Sequence, residues 1–554
     1  MVTGSSFPIR MNKIASALIF IFICQCSHLS GQVITYNYFY RIYFKDKGGN
    51  KINDFSLSDL FSSKAIERRQ KSGLNAPDFR DIPVYSGYIE QVSSLGFKLH
   101  CKSRWMNTAL FKTVIAADIN DLLSLPYVSN VRIVKKPSGK SDHFDKLSFT
   151  TSQSGLPPYD RPIAMLNGLS VHSSGFDGKG ILIAVLDGGF KNADQVSSLA
   201  GLRNRNGISG TFDFVNNSPF VYDYHNHGTA VLSVLAGSIP EIIGGSAPGA
   251  DFWLLRTEDT ATEFPVEEDF WVAGAEFADS LGADIISSSL GYFTFDDPSM
   301  NYKYSDMNGN TTFVTRAADI AASKGILPVN SAGNERDNAW IHIIAPSDGD
   351  TVLAVGAVDG NNSISVFSSA GPSYDRRIKP DVVAQGVSVP VQANTPVVER
   401  AGGTSFSCPV ISGMCACIMQ AVPEATSSDI IAALQSSSDR FLSPDSLYGY
   451  GIPDIVRAIK ILQERFVIKP EDGSIVYPNP FTDRLKITFR EIPSRLMVEI
   501  FNSNGKLISI TNYPEYVSRS VDLEGLKNLA AGIYFIRLTS PVNIHTHKVI
   551  KIRE

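Results

Sequence analysis

Residues 180–187, Gly-Ile-Leu-Ile-Ala-Val-Leu-Asp, are apolar almost without interruption and end on a carboxylate. A strand with no polar face is buried on both sides, as in parallel sheets. Residues 410–422 are apolar or small on nearly every face, which predicts a buried helix with Pro409 in its first turn. A second run of small apolar residues, 230–237, predicts a short helix opened by His227, with Gly228 allowing close packing. Before this region the pattern is mixed. Residues 39–44 and 128–134 read as strands, and 56–70 and 116–125 as helices, the latter ending at Pro126. Beyond Pro470 it changes again, to short alternating strands at 485–489, 497–501 and 529–538, and a last one at 547–552. Asn504-Gly505 is a hairpin signal between two of them, and the segment reads as a small β-sandwich.

Length and charge bound this picture. At 554 residues the chain is too long for one core, so three or more folded parts are expected. The boundaries read from the sequence are 1–31 for a leader, 32–150 for an α+β domain, 151–466 for the parallel-sheet domain and 474–554 for the sandwich. Within the leader, Met11-Asn12-Lys13 precedes an apolar stretch at 17–24, too short to span a bilayer but suited to a signal peptide. Cleavage is expected before Gln32, with Met11 as the more typical start. A lipoprotein signal at Cys24 or Cys26 is the weaker reading, because Ile23 and Gln25 are poor small-residue neighbours. A net charge of −5 leaves no electrostatic footprint for a nucleic-acid partner.

Candidate chemistry gathers around Ser405. Gly402 and Gly403 allow a tight turn in front of it, and the buried helix behind it offers an amino terminus that favours developing negative charge. A serine becomes a nucleophile only with a base to take its proton, and His227 and Asp187 are the candidate base and orienting acid. His225 reads as a local hydrogen-bonding residue, Ser407 and Ser412 as small helix residues, and Ser287 and Ser288 as polar residues at a cleft edge. No His-Glu-x-x-His or paired Cys-x-x-Cys motif points to a catalytic metal. Cys408, Cys415 and Cys417 fall on one rigid helix and read as core hydrophobes, so no structural disulfide is expected.

Taken together, His227-Gly228-Thr229, Gly403-Thr404-Ser405-Phe406-Ser407-Cys408-Pro409 and the strand ending at Asp187 resemble the subtilisin family of serine proteases, the subtilases. The resemblance runs over roughly 155–465 and includes Arg377-Ile378-Lys379-Pro380-Asp381. It implies a subtilisin-like parallel sheet flanked by helices and a Ser405, His227, Asp187 triad acting through an acyl-enzyme. It also implies an oxyanion donor at Asn334, in Asn330-Ser331-Ala332-Gly333-Asn334, and substrate binding along Ser289, Leu290 and Gly291. One position departs: the family usually carries Ser or Thr after the aspartate, and here stands Gly188. Calcium is a common structural ion in the family; no cofactor is required, and no loop here is specific enough to assign calcium ligands.

The α+β segment resembles a subtilase propeptide, whose removal is expected between Lys136 and Pro157. The sandwich, opened by Tyr477-Pro478-Asn479-Pro480 and carrying Gly532-Ile533-Tyr534, resembles the C-terminal sorting domain of type IX secretion cargo in Bacteroidetes. These resemblances imply a secreted or cell-surface endopeptidase made as a zymogen, with protein or peptide substrates, its own propeptide and the secretion machinery as partners. A binding protein on a subtilase scaffold, with little or no catalysis, is the alternative that Gly188 and the tail suggest. A third reading keeps the chemistry and narrows it to maturing other secreted proteins. The acidic positions Glu258, Asp259, Glu263, Glu267, Glu268 and Asp269 either favour basic substrate residues or form a solvated face, the commoner use of such a run.

Overall fold

The computed structural model describes residues 38–137, 146–147, 149–152, 161–394, 396–466, 473–490, 492–516 and 520–552. The leader and much of the stretch between Lys136 and Pro157 lie outside these. The chain divides into two compact units, 1–462 and 463–554.

The first unit opens with a four-stranded antiparallel sheet of β1 (Tyr38–Phe44), β2 (Lys98–Ser103), β3 (Thr108–Thr113) and β4 (Val128–Lys135), in the order β2-β3-β1-β4. The two-residue period of β1 gives it two different faces. Tyr40, Ile42 and Phe44 pack into the domain's own core with Val92, Phe111 and Leu122. Phe39, Arg41 and Tyr43 point instead at the neighbouring helix Val266–Leu281 and its surroundings. The expected helix over 56–70 is two helices, Leu57–Leu60 and Ser63–Lys71. Phe61 is extended, and the Ser62 side chain accepts from the Ala65 N–H to cap a new start. The helix expected over 116–125 is shortened to Ile119–Leu123, because Asp118 caps it by accepting from the Asn120 N–H.

A short strand, β5 (Thr150–Ser152), leads towards the main sheet. That sheet comprises β6 (Leu182–Asp187) and β7 (Ile208–Asp213), then, after a small hairpin of β8 (Ser238–Ile239) and β9 (Ile243–Gly244), β10 (Asp251–Arg256), β11 (Ile285–Ser288), β12 (Leu327–Ser331), β13 (Leu353–Val358) and β14 (Val382–Gln385). Its seven strands are all parallel, in the order β14-β13-β12-β11-β6-β10-β7. All six residues of β6 are buried, as its unbroken apolar pattern requires. The order of connection reverses at β6, with later strands on either side. In open parallel sheets such a switch point leaves a crevice at the carboxyl ends, and Asp187 stands there.

A separate three-stranded sheet joins β15 (Val389–Val391), β16 (Glu399–Gly402) and β5. The helix Thr404–Ala421 runs through the core. It is the one helix among the described residues long and apolar enough to cross a bilayer, but 89% of it is buried inside the protein, so it is a core helix. Pro409 is inside this helix rather than in its first turn, which corrects the sequence expectation.

The second unit contains two antiparallel sheets over one apolar core. One is built of β17 (Ser474–Tyr477), β18 (Leu485–Phe489) and β21 (Ser520–Leu523); the other of β19 (Leu496–Asn502), β20 (Leu507–Tyr513), β22 (Gly532–Thr539) and β23 (Ile544–Lys551). Gly505, at φ +77°, makes the turn between β19 and β20 that Asn504-Gly505 foretells.

Candidate active site

Asp187 ends β6 and His227 begins the helix His227–Ala236, so strand and helix bring the two together at the sheet's carboxyl edge. A Cβ on Gly228 would lie 2.5 Å from the Gly189 carbonyl oxygen and 3.0 Å from the Asp187 Cβ, so only glycine lets that helix start so close to the strand. The His227 Nδ1 is 2.9 Å from both carboxylate oxygens of Asp187. Nδ1 therefore carries the proton and donates it, which leaves the Nε2 lone pair for the cleft. Asp187 is fully buried and also accepts from the Gly188 N–H at 2.7 Å. Backbone takes part in holding the carboxylate even though residue 188 has no hydroxyl. His225 has the local role expected of it: its Nδ1 accepts from the His227 N–H.

Ser405 is the second residue of its helix, and Gly403 before it adopts φ +152°, which L side chains rarely reach. It is buried at the floor of the cleft rather than exposed, as its place at a helix start suggests. Pro409 has no N–H to donate to the carbonyl four residues back, that of Ser405. The Ser289 hydroxyl supplies the missing donor, at 3.0 Å from the Ser405 oxygen. The proline thus ties the segment 289–291 to the serine. Ser289, Leu290 and Gly291 continue past the end of β11 and line the same cleft as His227, Asn334 and Ser405, a cavity of ≈ 420 Å³. No hydrogen bond joins His227 Nε2 to the Ser405 hydroxyl among the described residues; such contacts are often looser before a substrate tightens them.

Asn334 is fixed by its oxygen, which accepts from the Thr404 N–H at 2.8 Å and the Thr404 hydroxyl at 2.9 Å. Its two amide N–H donors are thereby assigned to the other side, along the cleft. Ser287 and Ser288 are not cleft-edge residues: both are buried in β11, and the Ser288 hydroxyl accepts from the Trp271 indole. Cys408 lies three residues beyond the serine, but burial pushes its thiol up to about 12, which keeps it protonated and unreactive. Cys408, Cys415 and Cys417 are free and buried.

One residue escaped the sequence reading. Phe406 faces the His227 ring, with centroids 6.0 Å apart, and the Phe149 ring at 5.2 Å. Its position beside Ser405 was visible, but nothing in the pattern told a cleft wall from core. The acidic run is not a solvated face either. Glu258, Glu267, Glu268 and Asp269 are all buried, because basic side chains from residues 38–146 cover them.

Residues 178–451 match the subtilase family, and residues 39–146 match the peptidase S8 propeptide domain of Bacteroidota. The chain carries a subtilase peptidase domain. It is 29% identical to subtilisin E of Bacillus subtilis over 329 residues, covering 58% of this chain and 76% of that protein. Against subtilisin DY of Bacillus licheniformis the identity is 27% over 307 residues, 54% of this chain and 98% of the other. Against the serine protease AprX of B. subtilis it is 28% over 305 residues, 50% and 65%. Residues 475–552 match the secretion system C-terminal sorting domain. The subtilase is a serine endopeptidase made as a zymogen and directed to the outside or surface of the cell.

Calcium is common among subtilases. Among the described residues, the acidic or metal-ligating side chains close enough to share an ion are Glu258, Glu263 and Glu267. In the zymogen the ammonium of Lys146 occupies their centre, so this cluster does not fit a calcium ion there.

Proposed function

We propose that Ser405, His227 and Asp187 are the catalytic triad of this endopeptidase. The observation that carries the reading is the paired contact of His227 Nδ1 with both Asp187 oxygens, which turns Nε2 towards the cleft that Ser405 shares. The Ser405 Oγ attacks the substrate carbonyl carbon as its proton passes to Nε2. Asn334 Nδ2–H and the Ser405 N–H donate to the oxyanion that forms. The C–N bond then breaks, Nε2–H protonates the departing amine, and water releases the acyl group by the same steps in reverse. Asp187 stays ionised, holding the ring and its charged form. Ser289, Leu290 and Gly291 line the cleft and offer the backbone along which the substrate lies.

The same reading assigns residues 1–31 to a signal peptide, 32–150 to the propeptide, 151–466 to the peptidase and 474–554 to a tail read by type IX-like export machinery, with processing between Lys136 and Pro157. No step needs a cofactor.

The test is Ser405→Ala in the full chain. Loss of the nucleophile should remove hydrolysis and self-processing together, by about five to six orders of magnitude in turnover. Asn334→Ala should leave processing detectable but lower kcat about 100- to 1000-fold. Retained casein hydrolysis in Ser405→Ala would refute the triad. A fluorophosphonate should label Ser405 in the processed wild type.

A further inference from the structure

Glu258, Glu263 and Glu267 follow β10 closely and offer carboxylate oxygens that all lie within 4.8 Å of one another. Glu258 and Glu267 are buried, and the Tyr292 hydroxyl donates to Glu258. Like charges so placed oppose one another's ionisation. Burial pushes Glu263 up to about 7, with Lys146 pulling it back and Glu258 adding to the rise. Glu267 is pushed well above the usual carboxylate range, by burial first and then by Glu258. Such a group needs a cation.

The cation comes from the pro-segment. Lys146 Nζ lies 2.8 Å from Glu258, 2.8 Å from Glu263 and 2.6 Å from Glu267, and donates to the Thr262 carbonyl at 3.0 Å. The chain then runs past the nucleophile. Leu147 approaches residue 188 so closely that a Cβ there would meet its Cδ1 at 2.2 Å. Phe149 lies edge-on to His227 at 5.8 Å and to Phe406 at 5.2 Å. Finally β5 pairs antiparallel with β16, placing Thr150 opposite Gly402, three residues before Ser405. Residues before position 148 thus touch the side of the cleft beside Asp187, and residues after it touch the side beside Phe406.

We propose that the Glu258, Glu263 and Glu267 pocket is a specificity subsite, and that the mature enzyme selects substrates with a lysine shortly before the bond that is attacked. Lys146 is the first occupant, and a substrate lysine replaces it once the propeptide has left. This rests on the triad reading above. It also explains Gly188: a bare backbone makes room for the residue that follows the lysine.

The full chain is allowed to process itself, and the product is assayed on quenched peptides copying residues 144–151, with the lysine kept or replaced by arginine, alanine or glutamate. The lysine peptide should show a kcat/KM higher than the alanine peptide by on the order of 30-fold or more, as for a buried charge pair that loses one partner. Glutamate should be poorer again. Glu267→Gln and Glu263→Gln should each shrink the lysine-to-alanine ratio. Equal kcat/KM for lysine and alanine peptides in the wild type, with Ser405 labelled by fluorophosphonate, would overturn the pocket and leave the triad standing. So would a lysine preference that survives both variants. If no peptide is cut and Ser405 stays unlabelled, the triad reading fails and the subsite fails with it.

Discussion

The propeptide meets the peptidase in two places that differ in kind. Its folded body lies against the helix Val266–Leu281 with buried and largely buried charges. Arg41 makes a forked contact with Asp269, and Arg68, Arg69 and Arg104 all converge on Asp279. Asp279 stands in the last turn of that helix, where the dipole disfavours a carboxylate, so three guanidinium groups compensate both charge and position. The threaded segment, by contrast, enters an open cleft with one lysine and two apolar side chains. The body supplies hold, because a buried pair broken on one side leaves a charge that water cannot reach. The thread supplies presentation, because its pocket can be rehydrated or refilled when it leaves.

The largest expected effect tests the body. In the uncleaved Ser405→Ala chain, Asp279→Ala should lower stability to denaturant by about 3–5 kcal/mol, the cost of stranding buried guanidinium groups. Next comes pH. His100 Nε2–H donates to the Phe214 carbonyl across this interface, while Lys112 approaches Nδ1. Burial, opposed by that carbonyl and helped by Lys112, pushes the imidazole down to about 4. The unfolded histidine takes a proton near pH 6.5 and the folded one resists until about 4, so its stabilisation is present above pH 6.5 and lost as pH falls towards 4. The full window is worth about 3 kcal/mol. Asp269 and Glu276, pushed up by burial, titrate with the opposite sign, so the measurement is the difference between wild type and His100→Gln across pH 7 to 4.

Smaller effects belong to the thread. Lys146→Ala in the Ser405→Ala chain should cost about 2 kcal/mol, less than Asp279→Ala, since the cleft gives water a way into the vacated pocket. In the active chain it should slow self-processing. A stability loss matching that of Asp279→Ala would erase the distinction between hold and presentation. Smallest is Gly188→Ser, which should slow processing a few-fold by displacing Leu147, with unfolding unchanged within about 0.5 kcal/mol. Timed gels of the full chain would show it.

Much of the site was legible in residue order. The unbroken apolar run to Asp187, the glycine after His227 and the glycine turn before Ser405 each demand one local geometry, and the parallel sheet follows from the first of them. Local rules failed where a distant group intervened. Pro409 is expected in a first turn because a helix interior normally needs its N–H; Ser289 supplies a donor from the segment after β11, so the proline sits inside. The helix over 56–70 breaks because Ser62 caps a second start and its hydroxyl also donates to the Leu281 carbonyl of the peptidase. The acidic run at 258–269 fits water by itself, and is buried because Arg41 and Lys146 arrive from far along the chain.

By itself the sequence determined which groups this protein has for chemistry: a serine, a histidine, an aspartate and an amide in fixed order, each in a segment whose backbone preferences place it at a strand end or helix start. Tertiary structure alone decided which charges would meet. A carboxylate's residue type and neighbours set its intrinsic acidity, but burial and pairing depend on what the fold lays over it. That is why one acidic stretch became both the propeptide's anchor and a lysine pocket beside the serine.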